Sequence, residues 1–115
     1  MEIKTSEDQG PIARVALVGR MDIVGAEAIA LPLATVAGSK QNLIIDMSGV
    51  SFLASIGIRH LVSAAKTMTR RGGRLVLLNP TDMVSEVLTT SGLTTLLPMV
   101  RSESEAIAAL GLQSG

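Results

Sequence analysis

Two rhythms of apolar and polar positions run along this chain, and the changes between them mark its elements. Glu2 to Ser6 reads as a short polar strand, and Gln9-Gly10-Pro11 as a turn. Ile12 to Val18 is β-rich and stops at Gly19, so the two segments predict an antiparallel hairpin at a sheet edge. Gly19-Arg20-Met21-Asp22 then leads into an Ala-rich helix, Val24 to Ala37, with Ile29, Leu33 and Val36 near helical spacing. Pro32 lacks a backbone donor and is expected to kink or restart this helix, and Gly38-Ser39 ends it. Asn42 to Met47 is nearly continuous in apolar residues, as in a strand covered on both faces.

The second half repeats the alternation. Ile58, Leu61, Val62, Ala65 and Met68 form the apolar stripe of a helix over Ile56 to Arg71, with Arg59, Ser63, Lys66 and Arg70 mostly on the other side. Gly72-Gly73 closes it by supplying positive φ at little cost. Arg74 to Leu78 is a further strand, broken by Asn79-Pro80. Thr81 or Asp82 caps a helix carrying Met83, Val84, Val87 and Leu88, which Ser91-Gly92 ends. Leu96 to Val100 is expected as a last strand, held to the sheet edge by Pro98. Ser102-Glu103-Ser104-Glu105 fits a capping box and opens a final helix, Glu103 to Leu110, before a frayed end at Gln113 to Gly115. The order ββαβαβαβα predicts an α/β domain with a mixed, mainly parallel sheet and an N-terminal hairpin. At 115 residues the chain is one domain, with an ordered core expected from about residue 2 to 111.

Composition narrows the function. Phe52 is the one aromatic residue, so there is no stacking platform for bases, and formal charge is zero with ten basic and ten acidic residues. Arg59, His60, Lys66, Arg70, Arg71 and Arg74 read as a solvated helix face with cations toward its C-terminal end. No direct nucleic-acid partner is expected. The absence of cysteine removes thiolate chemistry and cysteine-held metals, and the lone His60 supports neither a metal site nor a triad. Gly72-Gly73 lacks the spacing and lysine of phosphate-binding loops, so no nucleotide cofactor is expected. The N-terminus has no signal-peptide core, and the longest apolar stretch, Ala28 to Ala37, is too short to span a bilayer. The expectation is a non-enzymatic, soluble cytoplasmic protein.

Chemistry concentrates in Asp46-Met47-Ser48-Gly49-Val50-Ser51-Phe52-Leu53-Ala54-Ser55-Ile56-Gly57-Ile58-Arg59. Ser55 stands where a strand gives way to a helix. As an N-cap its oxygen would accept from an N–H near Gly57 or Ile58. As a phosphoacceptor it would place roughly −1.5 to −2 charges at the positive helix end. Gly57 in the first turn is costly for a helix and suggests close backbone approach to a ligand group. Asp46 is expected to end the central strand, where α/β proteins build sites, as a turn-forming residue or a receiver-like phosphoacceptor. The receiver reading lacks its further parts: only Glu7-Asp8 follows the first strand, and Pro98 to Arg101 contains no lysine. Asp22 reads as the cap of the Ala-rich helix.

With these residues in order, the chain resembles STAS domains of the anti-sigma factor antagonist family. Asp46-Met47-Ser48-Gly49-Val50 followed by Ala54-Ser55-Ile56-Gly57 is similar to that family's phosphorylation segment. Gly19-Arg20-Met21-Asp22, Arg74-Leu75-Val76-Leu77-Leu78, Val87-Leu88-Thr89-Thr90-Ser91-Gly92-Leu93 and Glu105-Ala106 extend the likeness over nearly the whole chain.

The resemblance implies a partner switch. An unmodified antagonist binds an anti-sigma factor that is also a serine kinase of the histidine-kinase-like ATPase type, and a sigma factor is freed. Phosphorylation of the serine at the second helix start, Ser55 by motif position, breaks the complex, and a PP2C-type phosphatase resets it. ATP belongs to the kinase. Asp22, Asp46, Ser48, Phe52, Leu53, Ala54, Ile56, Gly57, Ile58 and Arg59 would form the phosphosite surroundings and partner contact. Ala54 stands where the family often has aspartate. The alternatives are a non-switching STAS scaffold subunit of a larger assembly, stressosome-like or lipid-transporting, and a receiver-like domain phosphorylated on Asp46.

Overall fold

The computed structural model describes residues 1–7 and 12–111. Nine elements follow one another: β1 (Glu2–Glu7), β2 (Ile12–Met21), α1 (Ile23–Ser39), β3 (Asn42–Leu53), α2 (Ser55–Arg70), β4 (Arg74–Leu78), α3 (Asp82–Thr90), β5 (Met99–Val100) and α4 (Glu103–Ala109). The strands form one sheet in the order β1-β2-β3-β4-β5. β1 runs antiparallel to β2, and the remaining neighbours are parallel. The predicted fold class and element order are those observed. The turn expected at residues 9–11 and the frayed end at 113–115 lie outside the described residues.

Period-two alternation divides the sheet between two cores. Leu43, Ile45 and Met47 of β3, Val15 and Leu17 of β2, and Leu75 and Leu77 of β4 pack with α1, α2 and α3 in the larger one. Ile44 and Val76 point the other way and meet Ala106 and Leu110 at the α4 end. Both faces of β3 are thus covered where its sequence is continuously apolar.

The two strands that lead to the site are longer than their sequences suggest. β2 does not stop at Gly19 but passes through it at φ +120° and reaches Met21. β3 does not stop at Met47. It outruns β4, whose last pairing is Leu78 with Asp46, and continues beside β2 to Leu53. Asp46 therefore lies within a strand rather than at its end. Two register shifts explain the disguise. From Ala16–Asp46 to Val18–Gly49, and from Gly19–Val50 to Arg20–Phe52, β3 gains one residue on β2. The core-facing residues Met47, Val50 and Leu53 consequently recur every third position, a spacing that does not read as a strand. Asp46 holds the first irregularity, its Oδ1 accepting from the Ser48 amide at 2.9 Å and the Ser48 hydroxyl at 2.7 Å. The Ser51 hydroxyl donates to the Gly19 carbonyl at 3.3 Å at the second.

Two other elements differ from expectation. Pro32 does not divide α1, which is one helix from Ile23 to Ser39. The carbonyl that loses its donor belongs to Ala28, an exposed residue, as is Pro32 itself, so water can replace the missing bond. The last strand is only Met99–Val100. Leu96 and Leu97 belong to a turn in which the Leu97 amide donates to the Leu93 carbonyl at 2.8 Å, burying Leu97 fully. α4 starts at Glu103 as expected, capped by Ser102, whose hydroxyl accepts from the Glu105 amide at 3.2 Å, while Glu105 Oε2 accepts from the Arg101 amide at 3.0 Å. Thr81, rather than Asp82, caps α3.

Candidate functional site

The long β2–β3 ribbon delivers two helix starts to one end of the sheet. Its final pair is Met21 with Leu53, and the Ala54 amide donates to the Met21 carbonyl at 2.9 Å. One residue beyond Ala54, α2 begins at Ser55. Two residues beyond Met21, α1 begins at Ile23. Each helix carries glycine at its third position. A β-carbon on Gly25 would collide with the Arg20 carbonyl, and one on Gly57 would lie 2.5 Å from Cγ of Met21 and 3.0 Å from Cδ1 of Leu53. Packing of α2 onto the ribbon therefore requires glycine at position 57, independently of any ligand.

The two starts are finished differently. Asp22 caps α1 as expected, its Oδ1 accepting from the Gly25 amide at 2.8 Å. The N-cap of α2 is Ala54, which has no side chain to offer, and Ser55 is the first helical residue. The expectation that Ser55 caps the helix fails because its own backbone is already helical, so its hydroxyl cannot turn back to the N–H groups ahead of it. Ser55 is exposed, and its hydroxyl has no hydrogen-bond partner among the described residues. Ala54 has its amide satisfied by Met21. The amides of Ser55, Ile56 and Gly57 precede any possible i−4 acceptor within α2. An uncapped helix end and a free hydroxyl thus coincide.

Around Ser55 the side chains sort by burial. Leu53 and Gly57 are buried, and Ile56 and Ile58 are half-buried against the larger core. Phe52 is half-buried beneath Arg20, whose guanidinium carbon lies 4.5 Å from the ring centroid. Arg20 Nε is 3.7 Å from Asp22 Oδ2, a loose pair on the surface. Arg59, one turn along α2, is exposed. The structure brings Asp22, Phe52, Leu53, Ala54, Ile56, Gly57, Ile58 and Arg59 to the end where Ser55 stands.

Asp46 and Ser48 are elsewhere. Their ribbon positions lie near Ala16 and Val18 of β2, while Leu53 pairs with Met21. Asp46 is thus five β2 residues, about 16 Å, back from the site. Its carboxylate is bonded to Ser48, and it lines a separate depression of about 190 Å³ with Lys4, Arg14, Ile44, Leu78 and Glu103. Residues that sequence reasoning missed are Ile23 and Val24, apolar and exposed at the start of α1. The signal was available: α1 carries one charged residue, Glu27, in 17 positions. Among the described residues there is no metal-binding cluster, and no helix is long and apolar enough to cross a membrane.

The STAS domain model matches residues 3–106. The chain belongs to the STAS domain family. Its relatives include the protein named anti-sigma factor antagonist BtrV of Bordetella bronchiseptica, 29% identical over 94 residues that cover 81% of each chain. Among solved structures, an anti-sigma factor antagonist from Mycobacterium paratuberculosis superposes with a TM-score of 0.80 at 27% identity, over 96% of this chain and 95% of that one. The Bacillus cell fate determinant SpoIIAA in its phosphorylated form gives a TM-score of 0.72 at 24% identity, over 94% and 98%. The last likeness speaks for the fold of this STAS chain, and the first two join it to proteins named as antagonists of anti-sigma factors.

Proposed function

We propose that this STAS protein is an anti-sigma factor antagonist in a bacterial partner-switching pathway, with Ser55 as its phosphoacceptor. Unmodified, it binds an anti-sigma factor that is also a serine kinase, and so frees a sigma factor. Phosphorylated on Ser55, it lets the kinase go, and a PP2C-type phosphatase restores it. The chain itself performs no catalysis, and its place is the cytoplasm. The observation that carries the reading is the exposed, unbonded hydroxyl of Ser55 at the first position of a helix with no side-chain cap.

The physics follows from that position. A phosphate on Ser55 adds roughly −1.5 to −2 charges where helix N–H groups and the dipole favour an anion. The free protein therefore accommodates it without rearrangement. The complex does not, because a partner seated over Ser55 strips the phosphate of water. Reversing occupancy from 1:99 to 99:1 takes a differential of about 5.5 kcal/mol. Desolvating an ionised phosphate against a partner without matching cations can supply several kcal/mol of that.

Incubation with the kinase and ATP, followed by phosphopeptide mapping, tests the reading. Phosphate is expected on Ser55 and none on the Ser55→Ala variant. Ser48 and Ser51 are also exposed in the neighbouring segment. Phosphate mapped to either of them, and retained in Ser55→Ala, would remove Ser55 as the switch.

A further inference from the structure

α1 does not look like a surface helix. α2 turns its charges outward in the usual way, with Arg59, Lys66 and Arg70 exposed. α1 instead shows solvent Ile23, Val24 and Leu31, which are 67%, 77% and 75% exposed. Leu31 follows Ile23 by eight residues and Val24 by seven, so the three lie along one stripe about 12 Å long. Exposed Ala28, Pro32, Ala34 and Thr35 flank the stripe, and Glu27 is its sole charge. A helix whose outer face is this apolar is normally covered.

The geometry points to the anti-sigma kinase as what covers it: the outer face of α1 is the second half of the partner-docking surface whose first half is the α2 start around Ser55. This inference rests on the switch reading and names the surface that reading leaves open. Three observations select the occupant. The stripe begins at the site, since Ile23 lies two residues past Met21 and Ser55 one residue past Ala54, and the Met21 carbonyl joins the two at 2.9 Å. Its area, on the order of 400 Å², is within the range of functional patches but about half of what each side of a stable interface buries, so α1 alone does not hold a second copy of this chain. The α2 start, with Ser55 and Arg59 exposed, extends that surface. Finally, α1 has an acidic residue and no cation, which gives an anionic membrane nothing to attract. The partner's complementary surface is accordingly mainly apolar, with Glu27 the one charge it must meet.

Isothermal titration with the purified kinase that phosphorylates Ser55 tests this. Ile23→Glu and Leu31→Glu should each raise Kd at least tenfold. Met83→Glu, at an exposed apolar position on α3, should stay within twofold of the parent chain. Thermal melts check that each variant is folded, and Leu31→Ser replaces Leu31→Glu in the titration if the latter melts early. Parent-like affinity for the α1 variants, with Ser55→Asp weakened, overturns the inference and leaves the switch standing. No saturable binding by the parent chain overturns both. Sedimentation velocity showing a dimer that Leu31→Glu dissolves would assign the face to a second copy. Sedimentation with phosphatidylglycerol vesicles, lost in the same variant, would assign it to a membrane. Either result overturns the kinase as occupant.

Discussion

A β-carbon on Gly57 would lie 2.5 Å from Cγ of Met21, a side chain with no solvent exposure. Met21 ends β2 and Gly57 sits in the first turn of α2, so this contact sets how closely the helix approaches the ribbon. Gly57→Ala adds one methyl to a filled space. Overpacking of that kind costs about 1–3 kcal/mol, and the helix propensity gained returns about 1 at most. We expect a net loss of about 1–2 kcal/mol in urea denaturation. Met21→Ala should cost stability alone, through its cavity, yet relieve much of the Gly57→Ala penalty when the two are combined. Additive losses in that double-mutant cycle would show that the two residues do not meet.

Ala54 leaves α2 without a side-chain cap. Ala54→Asp supplies an acceptor for the amides of the first turn and a charge that suits the helix dipole. The expected gain is about 1 kcal/mol in thermal or chemical denaturation. The same carboxylate would compete with a Ser55 phosphate for those amides and repel it, so kinase release on phosphorylation should sharpen or phosphate uptake should slow. A stability unchanged by Ala54→Asp would mean that the first-turn amides already have partners.

Much of this was legible in the sequence, and the misses share a cause. The helix stripe of α2, the strand Arg74 to Leu78, and the caps at Asp22 and Ser102 were read from local pattern, because local geometry alone decides them. The ribbon was not. Its two register shifts put core residues three apart at Met47, Val50 and Leu53, and Gly19 takes a backbone conformation that looks like a strand end. Both shifts depend on the neighbouring strand. Ser55 stands at the helix start that the local pattern marks, but its place as first helical residue rather than cap turns on where the ribbon ends. Asp46 and Ser48 belong to the same family-like motif as Ser55, but an extended strand carries them away from it.

Two serines at helix starts provide a direct contrast. Ser102 accepts from the Glu105 amide and contacts Glu105 Oε2 at 3.3 Å, so Ser102→Ala should cost about 1 kcal/mol. Ser55 makes no such bond, and Ser55→Ala should leave the midpoint of unfolding within about 0.5 kcal/mol of the parent chain. Asp22→Ala should resemble Ser102→Ala, since it removes the bond to the Gly25 amide. Asp22→Asn keeps an oxygen acceptor and should retain most of the stability. A Ser55→Ala loss as large as that of Ser102→Ala would mean the hydroxyl is holding the helix start.

Arg59 lies four residues after Ser55, and both are exposed. Residues so spaced share a helix face with Cβ atoms roughly 5–6 Å apart. A phosphate on Ser55 would therefore feel the Arg59 guanidinium as well as the helix N-terminus, and both favour its dianion. Phosphorus NMR of the chain phosphorylated on Ser55 should show a second pKa below the usual value of about 6. An exposed i,i+4 pair is worth about 0.3–0.5 kcal/mol, which at 1.36 kcal/mol per unit predicts that Arg59→Gln raises this pKa by about 0.3. Because the folded value is the depressed one, the stabilisation is complete above the unfolded pKa and disappears as pH falls through the folded pKa. The phosphorylated chain should thus lose more stability than the unmodified chain between about pH 7 and pH 5. Equal losses in the two forms, or a phosphate titration that Arg59→Gln leaves unmoved, would break the link between Arg59 and the Ser55 phosphate.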